Sequence, residues 1–573
     1  MHNRAGNRPV VESDWRDRAA TKESEISQSG SEASGFLPVV PTDTGGRRQR
    51  LARQASAPFG CGVAAVLALA LALPMVRAAP VHMDETTILD YGPHSLPTVV
   101  HDIFLSRGGA PLQFVVAHFT LQWPGGVEGL RVPSVLFTLL AIVLAGAWGE
   151  RLAGRGEGVA LAFLLASAPL AVELATFGRM YGMFLFAVLG ASLLSLRAAA
   201  RGRDRDWALA GAAAGALVYV HPIAPLYAGF ALLTGIAWSR DPPGQLWRSL
   251  RASLIAAAVV AAPYVWALAV LARRYDVGTS STLSQKGDRP VALETLLGMS
   301  PGGDVLAALT LALAAIGLYA LGRRTPRVAL LLGLWIVTPV VFFSVIPANT
   351  RFFVRYVVPA LPPFLLLVAT GSFVIGRRVG HRSLVAVAIV GALVVMSVRD
   401  DIRRIENTRA VAIERLLPLS SVPHALLFSS TGSPSSDPEH LDTYVKLRRP
   451  GIRQLEELPS ADPRFDPAIE EKGVAAVAVF LQGTVAPGRG VWIFRGPERR
   501  VAHAERALEH VSGVASTRAS DTLLVVTSTR DLPARQLVEQ AIAVRRAWSI
   551  RSPSDRWAET LARIDRAALS RTG

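Results

Sequence analysis

Two adjacent carboxylates, Asp84 and Glu85, stand just past the first long apolar run (59–76), in the segment Val81-His82-Met83-Asp84-Glu85-Thr86. Acidic groups at the mouth of a membrane domain are costly unless they pair, hydrate or react. A carboxylate there can take the proton of an attacking hydroxyl, which is general-base chemistry. It can equally cap an interfacial helix, since Asp is a good N-cap, and the local sequence leaves both readings open. His82, His94, His101 and Asp102 share the loop. No two of these histidines have a tight ligand spacing, so surface or pairing roles are expected and no metal site is assigned. No cofactor is called for, and a divalent metal is left open.

Arginines are the second signal. Arg131, Arg179, Arg351 and Arg355 lie at helix ends that the topology below makes external, where Lys and Arg should be scarce. A guanidinium binds phosphate in a two-pronged geometry. For Arg131, beside Glu128, a structural ion pair is the simpler expectation. For Arg351 and Arg355, in Arg351-Phe352-Phe353-Val354-Arg355-Tyr356, an anionic ligand is expected, and Arg179 sits in a similar setting, Phe177-Gly178-Arg179-Met180-Tyr181. His221-Pro222 marks a helix junction, either as a kink with a capping histidine or as a cavity wall. Gly154-Arg155-Gly156-Glu157-Gly158 looks like a phosphate loop but lacks the strand-turn-helix setting, and is set aside.

The elements that position these residues are membrane helices. The 573-residue chain is 51% hydrophobic, and its mean hydropathy of +0.34 is concentrated between residues 59 and 398. Apolar runs of about 18 or more residues read as spans. Eleven are expected, at about 59–76, 130–149, 157–174, 181–197, 207–220, 222–238, 252–271, 304–321, 328–346, 357–375 and 383–398. The net charge of +16 would suit nucleic acid in a soluble protein, but here the cations cluster in alternate inter-helix loops. The groups are Arg151 and Arg155; Arg197, Arg201, Arg203 and Arg205; Arg240, Arg248 and Arg251; Arg323, Arg324 and Arg327; and Arg377, Arg378 and Arg382. The positive-inside rule makes that side cytoplasmic. It leaves the loop of Asp84 and everything after residue 398 outside. Nucleic acid is not an expected partner; membrane lipid is.

Residues 1–57 read as a disordered cytoplasmic tail rich in Arg, Ser, Gly and acidic residues. With so long a polar stretch before it, and Arg77 and Pro80 where small residues would be needed, the first apolar run is expected to be an uncleaved anchor. Residues 58–399 form the membrane domain. Its first outer loop, 78–128, is expected to hold short surface-lying helices, and its second, 273–302, is polar. Residues 400–573 turn to short strand-like runs with helices between them, an extracytoplasmic α/β domain. Cys61 is the only cysteine, so no intrachain disulfide can staple these regions.

An external site has no access to cytoplasmic nucleotide sugars or ATP, so an activated group must arrive on a lipid carrier. Outer arginines with a nearby carboxylate point to group transfer from a lipid phosphate. A non-catalytic lipid-phosphate-binding or transport protein would need the arginines but not Asp84. A phosphatase would need a clustered His/Asp nucleophile set, which is not seen.

Several segments in order now resemble a known family: Asp84-Glu85 after the first span, Leu130-Arg131-Val132-Pro133-Ser134, Gly178-Arg179-Met180-Tyr181, and Arg355-Tyr356-Val357-Val358-Pro359-Ala360-Leu361-Pro362. The chain is similar to the membrane glycosyltransferases of the GT-C fold, among them the protein O-mannosyltransferases, the aminoarabinose transferase of lipid A and RgtA/B/C/D-like bacterial enzymes. The resemblance implies an α-helical polytopic membrane protein of GT-C type with a C-terminal soluble α/β domain. It also implies inverting transfer of a sugar from a polyprenyl phosphate to a glycan, lipid or protein acceptor. By that resemblance Asp84 falls on the base and Glu85 on its neighbour that orients base or acceptor. Arg179 and Arg355 fall on the donor phosphate, with Arg351 added from its placement. His82, Tyr181, His221 and Tyr356 are candidate cavity-lining residues. Where relatives carry His-Pro-Pro in the first outer loop, this chain reads Gly109-Ala110-Pro111-Leu112.

Overall fold

The structure is a computed structural model. It describes residues 47–79, 85, 88–89, 92, 94–104, 110–123, 127–239, 242–274, 295–296, 298–300, 303–345, 354–379, 384–410, 425–427, 455–457, 491–495, 498–520, 523–533, 536, 539–540, 543–544 and 547. Two units are distinguished, Met1–Ser56 and Ala57–Gly573. In the first, the described residues are opening turns of helix α1 (Arg47–Ala78). That helix starts inside the stretch expected to lack structure. Leu51, Ala52, Arg53, Gln54 and Ala55 favour helix, and adding turns to a formed helix costs little.

Two short helices follow in the loop after α1, α2 (Leu96–Asp102) and α3 (Leu112–Thr120). Ser95 caps α2, its hydroxyl accepting from the Thr98 N–H at 3.4 Å. Ile88, Leu89, Val99, Ile103, Phe114, Ala117 and Leu130 bury together and give this loop its own core.

The membrane domain continues with α4 (Val127–Leu152), α5 (Arg155–Ala166), α6 (Pro169–Ala175), α7 (Tyr181–Arg201), α8 (Asp204–Ala216), α9 (Ala224–Trp238), α10 (Pro243–Arg274), α11 (Gly303–Arg324) and α12 (Pro326–Val345). A 3-10 turn (Val354–Ala360) then leads into α13 (Leu361–Arg378) and α14 (Leu384–Ala410). All eleven expected runs fall on these helices. Among the described residues seven are long and apolar enough to cross a membrane, or eight if α5 and α6 are one broken span. The count of eleven differs for local reasons. The run 157–174 breaks by 60° between α5 and α6, because Pro169 holds Ala168 extended (φ −68°, ψ 124°). α8 and α9 are shorter than the about 20 residues a span needs, and the apolar part of α14 ends at Val398, before Arg399, Asp400 and Asp401.

α13 is buried on every side from Leu361 to Ser372, the mark of a helix at the centre of a bundle. It crosses α11 closely. A Cβ on Gly371 would fall 2.0 Å from the Leu313 carbonyl oxygen, so only glycine permits the crossing. Trp148 and Trp335 meet edge to face at 5.8 Å, and Phe230 stacks on Trp335 at 5.6 Å. α10 leaves Leu254, Ile255, Val259, Val265 and Trp266 exposed, a face suited to lipid and not to water.

Past the membrane runs, α14 carries Arg404 to Glu173 of α6 at 3.0 Å. One turn earlier Asp401 is buried. Burial pushes its carboxyl up to about 7, against the pull of Arg404, with the charges of Asp400 and Glu173 adding to the rise. The C-terminal region shows strands β1 (Ala425–Leu427) and β2 (Leu455–Glu457), paired in parallel. Beyond them β3 (Val491–Arg495), helix α15 (Glu498–Leu508), β4 (Val514–Ser520) and β5 (Leu523–Ser528) form an antiparallel sheet in the order β3-β5-β4 beside one helix. The strand expected at 474–481 lies outside the described residues, as does most of the helix expected at 534–547.

Candidate functional site

Glu85 and Arg131 form the first piece of the site, and both are essentially inaccessible to water (0% and 1% exposed). Arg131 Nε donates to Glu85 Oε1 and Nη2 to Oε2, each at 2.8 Å, so the fork is fully engaged. Its Nη1 donates to the carbonyls of Val76 and Ala79, both at 2.8 Å, where α1 ends. The Gly178 N–H completes the carboxylate's shell, donating to Oε1 at 2.7 Å. A structural ion pair was expected for Arg131, with a carboxylate such as Glu128 or Glu173; the carboxylate that meets its fork end on is Glu85, delivered by the loop.

The anchor fixes the connection between α6 and α7. Gln113 Nε2 donates to the Gly178 carbonyl at 3.2 Å and Ser134 Oγ to the Arg179 carbonyl at 2.9 Å. A Cβ on Gly178 would sit 2.7 Å from Leu130 Cγ and 2.8 Å from Glu85 Oε1, which leaves room for no side chain.

Arg179, on that connection, shares a neighbourhood with Arg355 of the 3-10 turn. The guanidinium of Arg355 lies 5.6 Å from the Phe177 ring centre and 5.8 Å from that of Tyr181, and those two rings stack on each other at 5.9 Å. Tyr227 of α9 pins the 3-10 turn, its hydroxyl donating to the Tyr356 carbonyl at 2.9 Å. Phe343 stacks on Tyr356 from α12 at 5.7 Å.

His221 fills the centre. It stacks on Phe184 at 4.9 Å, lies 5.5 Å from Tyr181 and meets Tyr356 at 5.9 Å. Burial, with the positive charges of Arg179 and Arg355 adding to it, pushes the imidazole down to about 3. His221 is therefore neutral at pH 7. Its Nδ1 accepts the Ile223 N–H at 3.2 Å, which leaves the ring proton on Nε2.

Of the residues singled out in the sequence, the structure brings Arg179, Arg355, Tyr181, His221 and Tyr356 together. It places Glu85 one hydrogen bond from the same connection. Asp84, His82 and Arg351 lie outside the described residues. His101 pairs with Asp102 at 3.2 Å, and His118 meets the Gly92 carbonyl at 3.0 Å. Sequence reasoning missed the Glu85–Arg131 anchor and the rings of Phe177, Phe184 and Tyr227. A signal was present for one of them: Tyr181 and Phe184 are three apart at the start of α7, the interval that aligns side chains along one helical face.

The fold and this cluster define a polytopic membrane protein whose site gathers arginines among aromatic rings. Residues 113–266 match the family model described as dolichyl-phosphate-mannose-protein mannosyltransferase. The matched stretch contains Arg131, Arg179, Tyr181 and His221. It bears out the resemblance to GT-C, polyprenyl-phosphate-sugar-dependent membrane glycosyltransferases. Among solved structures the chain is similar to ArnT from Cupriavidus metallidurans in the apo state, at 15% identity and a TM-score of 0.47, covering 83% of this chain and 98% of that one. The same enzyme bound to undecaprenyl phosphate gives 16% identity and a TM-score of 0.45, covering 81% and 97%. The oligosaccharyltransferase AglB from Archaeoglobus fulgidus, in complex with an inhibitory peptide and a dolichol-phosphate, gives 12% identity and a TM-score of 0.42, covering 80% and 71%. No curated protein matches the chain.

Proposed function

We propose that this protein transfers a sugar from a polyprenyl-phosphate carrier to an acceptor hydroxyl at the outer face of the membrane, with inversion. The observation that carries the reading is the convergence of Arg179 and Arg355 on one buried, aromatic-walled imidazole. They lie beside a connection that Glu85 ties to the segment bearing Asp84.

In this reading the acceptor hydroxyl attacks the anomeric carbon while Asp84 takes its proton. The bond from that carbon to the phosphate oxygen breaks, and the oxygen keeps the electron pair. Negative charge on the phosphate therefore grows as the reaction proceeds. Arg179 and Arg355, with Arg351, hold the phosphate where that charge develops. Glu85 acts as a positioning residue: its carboxylate is committed to Arg131 and Gly178 and fixes the segment that carries the base. Tyr181, His221 and Tyr356 wall the cavity.

The test is sugar transfer by purified protein in lipid, offered a panel of polyprenyl-phosphate sugars, with wild type beside Asp84→Asn. Turnover should fall on the order of 10²–10⁴-fold in the variant, the range that a general base contributes, with donor binding retained. Turnover that survives the substitution removes Asp84 as the base. Donor binding without transfer to any acceptor favours a lipid-phosphate-binding protein instead. The orientation has its own check: a fusion reporter after residue 400 should report from outside, and a cytoplasmic signal overturns the proposed topology.

A further inference from the structure

The buried imidazole at the centre of the cluster carries one hydrogen-bonding group that the fold leaves unused. Nδ1 of His221 is occupied by the Ile223 N–H. Nε2 is buried and has no hydrogen-bond partner among the described residues. The ring is 3% exposed, so bulk water does not serve that N–H, and leaving a buried donor unmade is costly. The Ile223 contact uses the ring's acceptor but leaves the cost of the buried Nε2–H unexplained. Phe184, Tyr181 and Tyr356 pack the ring, and packing alone is done as well by phenylalanine.

The charges around it point to a ligand. Arg179 and Arg355 both act on the imidazole and come from separate elements, the α6–α7 connection and the 3-10 turn. Arg355 and His221 both lie against the Tyr181 ring, and two guanidinium groups with a neutral N–H in one neighbourhood make a set of donors matched to an anion with several oxygens, a phosphate above all. A neutral imidazole adds a hydrogen bond to such an ion without adding a third cation.

We propose that His221 is a phosphate-binding residue of this site, its Nε2–H donating to a non-bridging oxygen of the phosphate that Arg179 and Arg355 receive. This rests on the donor-phosphate reading of the two arginines and adds a residue and an atom to it. It gives His221-Pro222 a ligand role beyond kinking the chain.

The experiment is binding of undecaprenyl phosphate to the full chain in nanodiscs, with undecaprenol and inorganic phosphate as comparison probes. His221→Phe keeps the packing and removes both the Nε2–H donor and the Nδ1 acceptor of the Ile223 N–H; His221→Gln keeps a donor and an acceptor. His221→Phe should bind undecaprenyl phosphate about 10-fold more weakly, the loss expected of one hydrogen bond to a charged group, with only the small drop in melting temperature that losing the Ile223 contact brings. His221→Gln should recover most of that loss. In wild-type protein labelled with ¹⁵N-histidine, the Nε2–H resonance should shift with undecaprenyl phosphate and not with undecaprenol. A shift with inorganic phosphate as well identifies the headgroup as sufficient. Full affinity in folded His221→Phe overturns the proposal, as does equal weakening in both variants with a lowered melting temperature. If His221→Phe does not fold, an Nε2–H resonance unmoved by undecaprenyl phosphate overturns it. Arg355→Gln separates the two readings. If it binds as wild type, the donor-phosphate reading falls and this one with it; if it binds weakly while folded His221→Phe does not, only the role of His221 falls.

Discussion

The molecule places two arginine clusters within a few residues of each other along the α6–α7 connection, and they are built to opposite plans. In the Glu85–Arg131 anchor, both carboxylate oxygens and all three guanidinium nitrogens have protein partners at 2.7–2.8 Å. In the Arg179–Arg355 cluster the neighbours include aromatic faces and an imidazole. The first plan neutralises buried charge within the fold and ties three parts of the chain together. The second sets positive charge beside aromatic rings and a neutral imidazole. Charges arranged in the first way hold a structure; under the proposed function, the second cluster serves a phosphate ligand.

Removing a member of each cluster separates these roles. The largest effect on stability is expected from Glu85→Ala, which strands Arg131 in the interior. About 3–5 kcal/mol of stability should be lost, read as a lowered melting temperature in detergent or nanodiscs. The double variant Glu85→Ala/Arg131→Met removes the stranded charge and should regain part of the loss. An unchanged melting temperature for the single variant dissolves the contrast.

A smaller effect is expected at the hinge of the second cluster. Tyr227→Phe deletes the hydrogen bond to the Tyr356 carbonyl and frees the turn that carries Arg355. It should cost about 1 kcal/mol of stability and raise the KM for the donor more than it lowers kcat. Equal changes in both, or none, detach Tyr227 from the site.

The smallest effect is a pH dependence at a third place. Asp401 keeps its proton up to about 7 in the folded chain, against about 3.9 when unfolded. Between those values the folded state binds more protons. Its contribution to stability is therefore present below about pH 4 and lost as pH rises through 7. Asp401→Asn should raise the melting temperature relative to wild type at pH 8 and change it little at pH 4. The opposite pH trend contradicts the burial of the carboxyl.

Much of this arrangement was legible in the sequence because it depends on composition along the chain. Apolar runs marked the helices, and arginines where the charge rule forbids them marked Arg179 and Arg355. Tyr181 and Tyr356 stood out because they sit beside those arginines in the sequence, and His221 because His221-Pro222 marks a helix junction. What was not legible depends on the third dimension. Glu85 meets Arg131 across 46 positions and Gly178 across 93, and no periodicity reports such a partner; Glu128, three positions away, looked like the natural one. The break at Pro169 was hidden inside an apolar run long enough for one straight span. β4, Val514-Ala-Ser-Thr-Arg-Ala-Ser520, is an edge strand of small and polar residues that carries no apolar alternation.

The most direct test of the contrast is the affinity of Arg179→Gln/Arg355→Gln for undecaprenyl phosphate in nanodiscs, taken beside its melting temperature. Binding should weaken by about 100-fold or more, since two charge-assisted contacts are lost, each worth at least about tenfold, and the melting temperature should stay close to wild type. Wild-type affinity in the double variant, or a collapse of the fold in place of binding, would contradict the assignment of this cluster to a phosphate ligand.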